Sequence, residues 1–241
     1  MQNLKVLITG GGSGIGLAAA RLFLAEGAAV AIAGRDADKL RRAADQLTGG
    51  DRLMWHAADV SRPEQAQALV DAVTARQGRV DVLVNNAGAN LKERTFRELT
   101  PDRWRGLLAA NLDGAFHCTQ AVLPQMRQRR GGLLIFVNSI SGRRSNPLGG
   151  VGYNAAKFGL RGLAMGLAAE ERDNGIRVSS IYPGEVDTPI LEHRPTPLSE
   201  EHRRHILRPE DVAAAIVFVA RLPVHAAVPE LVITPAKATF I

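Results

Sequence analysis

Lys5-Val6-Leu7-Ile8-Thr9-Gly10-Gly11-Gly12-Ser13-Gly14-Ile15-Gly16 is the stretch that decides the fold. Its first half is a short apolar run of the kind expected for a strand buried on both faces of a parallel sheet. Its second half is a glycine turn that passes into an amphipathic pattern through Leu17, Ala20, Leu22, Phe23 and Leu24, ending near Gly27. Strand, glycine turn and helix in that order make the context in which a glycine motif binds a dinucleotide. Gly10 permits the tight turn, Gly14 lets backbone approach a pyrophosphate, and Gly16 lets the helix lie close to the sheet. The helix N-terminus then faces the phosphates. Gly10, Gly12, Ser13, Gly14, Ile15 and Gly16 are therefore expected to hold a cofactor. The spacing is G-x-x-x-G-x-G, distinct from the commoner G-x-G-x-x-G.

Downstream, a second strand over 29–33 reaches Gly34-Arg35-Asp36. An NAD site usually carries an acid near this strand end to bind the ribose 2′-hydroxyl. Gly34 stands where that acid is expected, and Arg35 can make a charge-assisted bond to a 2′-phosphate. This predicts a preference for NADP(H), with NAD(H) as the alternative. Asp36 or Asp38 reads as the N-cap of the next helix, which runs through Leu40 and Leu47. A third strand over 52–57 leads to Asp59-Val60, and Ser61-Arg62-Pro63-Glu64 reads as a capping box opening a helix that ends near Gly78. Asp59 could bond an adenine amino group or simply its own loop backbone.

Strands over 80–84, 133–137 and 177–182 follow, each ending in a polar loop: Asn85-Asn86-Ala87-Gly88, Asn138-Ser139-Ile140-Ser141-Gly142, and Pro183-Gly184 continuing to Thr188. Ligands of open α/β sheets lie beyond the carboxyl ends of strands, which is where these loops fall. A long helix is expected from Thr100 (N-cap) and Pro101 towards Arg130. Asn111 lies inside it, where an amide is a mediocre helix former and a satisfied interior Asn is the ordinary explanation. Between Ile190 and Arg208 the chain is rich in Pro, His, Arg and Glu, with only a short helix expected after Ser199; this is lid-like composition. A strongly apolar helix over 210–220 and a last strand over 231–234 complete a Rossmann-type, doubly wound parallel sheet of about seven strands with helices on both faces. No repeat or linker divides the chain, so residues 1–241 are expected to form one domain.

Tyr153 and Lys157 are one helical turn apart and share a face. An unperturbed phenol has a pKa of about 10, and a neighbouring ammonium favours its phenolate. Lowering it by roughly three units needs about 4 kcal/mol of differential stabilisation. Alone, the pair could equally be a half-buried Tyr followed by a surface Lys.

The 241 residues suit one α/β domain with a substantial core. With 46% hydrophobic and 22% charged residues the composition is that of a globular protein in water, and no apolar run reaches the roughly 18 residues of a membrane span. The formal charge of +6 invites nucleic acid, but the basic residues are scattered and aromatics are only 5%, so no stacking platform exists. Cys118 is the single cysteine, which excludes an internal disulfide and suits a reducing compartment. Met1-Gln2-Asn3-Leu4-Lys5 leads directly into the first strand, so no secretory leader and a cytoplasmic setting are expected. No metal-ligand set is read from the chain.

The glycine turn, Asn85-Asn86-Ala87-Gly88, a serine before Tyr-x-x-x-Lys, and Pro183-Gly184 with Thr188 downstream occur in a fixed order that closely resembles the short-chain dehydrogenase/reductase family in its compact single-domain form. The resemblance covers Lys5 to about Pro189, with a looser fit for the last helix and strand. It implies that Asn111, Ser139, Tyr153 and Lys157 are the active residues, with Tyr153 as acid/base and Asn111 ordering a proton-relay water. Ser141 is the other candidate serine; the family's Ser-x-x-Gly pattern favours Ser139. The resemblance also implies that Asn86, Ala87 and Gly88 line the cofactor and that Asp59 and Val60 contact adenine. Lys157 would hold the nicotinamide ribose beside Tyr153, while Pro183, Gly184, Val186 and Thr188 hold the nicotinamide end. A homo-oligomer, tetramer or dimer, is implied as well.

The activity so implied is interconversion of a small-molecule carbonyl compound and its alcohol. The C-terminal Pro229-Glu230-Leu231-Val232-Ile233-Thr234-Pro235 lacks the glycine-rich ending of many 3-oxoacyl-thioester reductases and fits small hydroxy acids and ketones better. A 3-oxoacyl-thioester reductase, a non-catalytic NAD(P)-sensing regulator and a sugar-nucleotide epimerase are the competing readings. Lys92, Arg94, Arg143, Arg144, His193, Arg194, Arg203 and Arg204 form a basic rim that either attracts an anionic carbonyl compound or is solvated surface charge.

Overall fold

Alternation along the central strands explains the layers. The computed structural model describes residues 1–238. Val6 and Ile8 of β1 (Lys5–Thr9) point to one side and Leu7 to the other. The same period of two repeats in β2 (Ala29–Gly34), where Val30 and Ile32 oppose Ala31 and Ala33. Each face therefore needs its own cover. One is packed by α1 (Gly14–Ala25), α2 (Ala37–Asp45) and the C-terminal helix over 209–221. The opposite face is packed by α3 (Pro63–Gln77) and the two long helices of the second half.

The remaining elements follow in chain order. β3 is Leu53–Ala57 and β4 is Val82–Asn85; α4 is Pro101–Leu108 and α5 is Gly114–Arg129. After β5 (Gly132–Val137) come α6 (Val151–Glu170) and β6 (Ile176–Pro183). A one-turn helix α7 (Glu200–Arg203), α8 (Pro209–Arg221) and β7 (Glu230–Ile233) close the chain. All pairings are parallel, in the order β3-β2-β1-β4-β5-β6-β7. The strand order reverses between β1 and β4, so a crevice opens beyond Thr9 and Asn85. Among the described residues, no helix is long and apolar enough to cross a membrane.

Two local details differ from the sequence reading. The N-cap of α3 is Arg62, not Ser61; Ser61 instead gives both its N–H and its hydroxyl to Asp59 Oδ1, at 3.1 and 2.7 Å. Proline at the first helical position already removes one orphan donor, so the helix starts without a side-chain cap. The long helix expected from Thr100 does start there, Thr100 accepting from the Arg103 N–H, but a π turn over Ala109–Asp113 separates α4 from α5. Such single π turns insert an extra residue and commonly sit at functional positions.

Candidate active site

The π turn points Asn111 inward. It is 1% exposed, and its amide is fully engaged: Nδ2 donates to the carbonyls of Ala89 (2.8 Å) and Leu107 (2.9 Å), while Oδ1 accepts from the Ala89 N–H at 3.3 Å. Asn111 thereby fixes the segment after β4 against the α4–α5 junction. Gly88 lies in this corner: a Cβ there would stand 2.8 Å from Asn111 Oδ1 and 3.8 Å from Lys157 Nζ. A side chain at 88 would collide with Asn111 Oδ1.

Lys157 is 3% exposed and donates from Nζ to the Val137 carbonyl at 3.1 Å. Burial pushes its pKa down to about 8. Its ammonium lies 5.5 Å from the centre of the Tyr153 ring, over the face. Ser139 stands near enough to the Tyr153 hydroxyl to favour its ionised form, and its Oγ accepts from the Ser141 N–H at 3.1 Å. That acceptance orients the Ser139 hydroxyl and leaves its proton to be donated. Ser141 points elsewhere: it is buried, and its Oγ accepts from Asn146 Nδ2 at 3.1 Å. Of the two candidate serines, Ser139 is the one beside Tyr153.

The electrostatics of Tyr153 differ from the sequence expectation. Burial raises its pKa above 10, and the opposing contributions come from the Ser139 hydrogen bond and the Arg94 guanidinium. Lys157 is not among them, because its cation faces the ring and the Val137 carbonyl instead of the hydroxyl. Arg94 itself, expected in a basic rim that is either anion-attracting or solvated, is buried at 6% exposure. Nothing in the sequence marks its burial, since Arg94 lies among mostly exposed residues in a loop without periodicity.

The glycine turn lies at the crevice. Gly10 and Gly14 have φ of +66° and +53°, and a Cβ on Gly16 would stand 2.4 Å from the Gly10 carbonyl oxygen. Ser13, the N-cap of α1, makes no side-chain cap bond, and no acid occupies the first turn. The first N–H groups of a twelve-residue helix are thus left facing the crevice without a competing anion, which fits a pyrophosphate. Thr188 closes the same turn from the far side, its Cγ2 lying 3.1 Å from a Cβ placed on Gly14. Asn86 braces the turn: Nδ2 donates to the carbonyls of Thr9 (2.9 Å) and Gly10 (3.2 Å), tying β4 to it. The N–H of Ala87 donates to Thr9 Oγ1 at 3.0 Å. At the β2 end, Gly34 is partly open and Arg35 is exposed. For Asp59, burial works against ionisation, but the bonds from Ser61 and the charges of Arg35 and Arg62 outweigh it and hold the carboxyl below its usual range. Val60 packs against α5, its Cγ2 lying 2.9 Å from a Cβ placed on Gly114.

The segment after β6 is tied down by charge. Glu185 bonds Arg194 (2.7 Å) and His202 (2.5 Å), Asp187 bonds Arg203 (3.0 Å), and Val186 bridges to Leu207. Arg143 is likewise paired, with Glu230 at 2.7 Å, and Arg161 joins the same carboxylate at 2.8 Å.

A doubly wound sheet with an uncapped, glycine-bounded helix at its switch point, and a Ser–Tyr–Lys constellation beside it, defines an α/β oxidoreductase. The chain belongs to the short-chain dehydrogenase family, whose sequence model, described as short chain dehydrogenase, matches residues 4–198. It is 34% identical over 230 residues to an uncharacterized oxidoreductase of Staphylococcus aureus, covering 95% of this chain and 96% of that one. Among solved structures it is similar to a closed form of serine dehydrogenase complexed with NADP+ (TM-score 0.88, 28% identity, covering 98% of this chain and 97% of that one). It is also similar to a 3-ketoacyl-(acyl-carrier-protein) reductase from Brucella melitensis complexed with NADH (TM-score 0.89, 28% identity, covering 98% of each).

Proposed function

We propose that the chain is an NADP(H)-dependent oxidoreductase that interconverts a small hydroxy acid or other alcohol and its carbonyl compound. The observation that carries this is the grouping of Ser139, Tyr153 and Lys157, with Asn111 meeting Lys157 at Gly88, on the side of the crevice beyond β1 and β4. The bound nicotinamide would supply or accept the hydride. In reduction, Tyr153 gives its phenolic proton to the carbonyl oxygen as negative charge develops there. Ser139 donates a hydrogen bond to the same oxygen, which counts most in the transition state. Lys157 holds the ribose hydroxyls, and Asn111 fixes the corner through which Tyr153 is reprotonated. In oxidation the proton runs the other way, from the alcohol to the Tyr153 phenolate.

Gly10, Gly12, Ser13, Gly14, Ile15 and Gly16 bind the pyrophosphate in this reading, and Arg35 the 2′-phosphate. Asp59, Val60, Asn86, Ala87 and Gly88 line the adenine and ribose side; Pro183, Gly184, Val186 and Thr188 the nicotinamide side. The preference for NADP(H) over NAD(H) rests on Arg35 and on Gly34 having no acid. A 3-oxoacyl-thioester reductase is the second reading, favoured by the likeness to the Brucella enzyme. Exposed Phe116 on α5 and Phe158 and Met165 on α6 support a homo-oligomer formed through those helices, readable by light scattering. A cytoplasmic setting is proposed from the lone, fully buried Cys118.

Fluorescence titration with NADPH and NADH, followed by a panel of hydroxy acids, ketones and a 3-oxoacyl thioester, tests the reading. Tyr153→Phe should bind the cofactor as the wild type does and lose at least about a thousandfold in kcat. Near-normal turnover in that variant would end the mechanism. Cofactor binding with no turnover across the panel would favour a sensing role.

A further inference from the structure

Buried arginines normally face carboxylates, because an unpaired charge away from water is costly. Arg94 breaks that pattern: it is 6% exposed and has no ion-pair partner among the described residues. Its guanidinium instead donates to three backbone carbonyls, those of Leu91 (2.7 Å), Leu148 (2.6 Å) and His193. Those carbonyls belong to the loop after β4, the loop before α6 and the segment after β6, so all three walls of the substrate side meet at one cation. Three of the five N–H groups are used, leaving two. Arg194 follows directly on the His193 carbonyl that Arg94 holds. Its side chain is 10% exposed, Nη2 bonds Glu185, and Nη1 is buried with no hydrogen-bond partner among the described residues.

The two guanidinium groups repel one another, and Arg94 also acts electrostatically on Tyr153. Two like charges held together in a largely dry corner lack one anion. The neighbouring acids are already engaged: Glu185 with Arg194 and His202, Asp187 with Arg203, Glu93 with Arg103, and Glu98 with Thr95. A cavity of about 320 Å³ opens on Arg94, walled also by Lys92, Thr95, Pro195 and the two already engaged acids Glu93 and Glu98.

We propose that Arg94 and Arg194 form an anion subsite beside Tyr153 that selects substrates carrying a carboxylate near the reacting carbonyl or alcohol carbon. This deepens the oxidoreductase reading above and rests on it. A planar carboxylate matches the free N–H groups of a guanidinium fork better than a neutral ester or amide does. Arg94 positions the subsite through its three carbonyl bonds, and Arg194 supplies the unpartnered donor.

The test compares kcat/KM for 3-oxobutanoate and 4-oxopentanoate with that for their methyl esters, in the wild type and in Arg194→Gln. The wild type should prefer the acids. Arg194→Gln should lose roughly 10- to 150-fold on the acids, the span of a charge-assisted bond, with little change on the esters. Arg194→Lys should recover part of the loss. Equal loss on acids and esters, or a wild-type preference for the esters, overturns the proposal while leaving the oxidoreductase reading intact. Should no substrate turn over, or should Arg194→Gln fail to fold, calorimetry on the cofactor-saturated wild type decides between butanoate and butanamide. Butanoate binding at least about tenfold tighter supports the subsite, and no difference refutes it.

Discussion

Replacing Lys157 with methionine should make the protein more stable at neutral pH while removing its activity. Lys157 is 3% exposed, and burial lowers its pKa from 10.5 to about 8. In the unfolded chain the amine keeps its ordinary value, so between about pH 8 and pH 10.5 the unfolded state binds more protons than the folded one. Stability contributed by this group therefore rises with pH across that window, by about 1.4 kcal/mol per pH unit. Below pH 8 both states are protonated and the full penalty applies: about 2.5 units, or about 3 kcal/mol. Above pH 10.5 both are neutral and the penalty is gone. Methionine has similar length, carries no charge and cannot donate to the Val137 carbonyl, a loss of about 1 kcal/mol.

The two effects oppose each other. At pH 7 the variant should gain about 2 kcal/mol net, which for a chain of this length raises Tm by roughly 4–8 °C. The advantage should shrink steadily above about pH 8 and change sign near about pH 10, and above pH 10.5 only the cost of the lost hydrogen bond remains. Paired urea unfolding of wild type and Lys157→Met, without cofactor, at pH 7, 9 and 10 reads the difference and cancels every group common to both. A variant less stable than wild type at pH 7 would refute the reasoning. So would a stability difference that does not move with pH.

Gly34→Asp should fold normally, since a Cβ there meets only Leu40 Cδ2 at 3.7 Å and Cγ at 3.9 Å. It should shift the kcat/KM ratio towards NADH by roughly 10- to 100-fold through bonds to the ribose hydroxyls, and an unmoved ratio would count against the reading of Gly34 and Arg35. Gly16→Ala places a Cβ 2.4 Å from the Gly10 carbonyl and 2.6 Å from Asn86 Nδ2, so α1 must move away from the turn. A loss of about 1–3 kcal/mol in unfolding free energy is expected, with a larger proportional loss of cofactor affinity by fluorescence titration. Asn111→Leu leaves the Ala89 N–H and the Ala89 and Leu107 carbonyls without this partner, and should cost about 2–4 kcal/mol in a denaturant titration.

Much of the architecture is written in local chemistry. The central strands are buried on both faces, so KVLIT and its successors stand out as apolar runs, and the glycine turn announces the switch point because backbone with positive φ has few alternatives. Caps were less legible. Ser61 has the right type and spacing for a capping box, yet Asp59 captures it first, since an Asx-type bond two residues away needs no helix to be formed. The π turn at Asn111 left no trace either, because one extra residue barely disturbs a helical pattern. Ser139 and Ser141 differ in the sequence only by the Ser-x-x-Gly pattern that favours Ser139; in the structure Ser139 stands near Tyr153 and Ser141 bonds Asn146. The burial of Arg94 depends on three loops meeting, and loop convergence has no periodicity to read.

That last residue alters how the Tyr153 hydroxyl is controlled. Desolvation drives its pKa up, and Arg94 is a cation that pulls it down. A carboxylate seated on Arg94 and Arg194 would neutralise that pull, so an anionic substrate would raise the pKa of the group meant to react with it. In the direction of carbonyl reduction this helps, because Tyr153 must arrive protonated. In the direction of alcohol oxidation it hinders, because the phenolate is required. The apparent pKa governing oxidation should therefore lie higher for a hydroxy acid than for its neutral methyl ester, and Arg94→Gln should bring the two profiles together. Profiles of kcat against pH that coincide for acid and ester in the wild type would separate Arg94 from the proton chemistry and leave it only a fastening role.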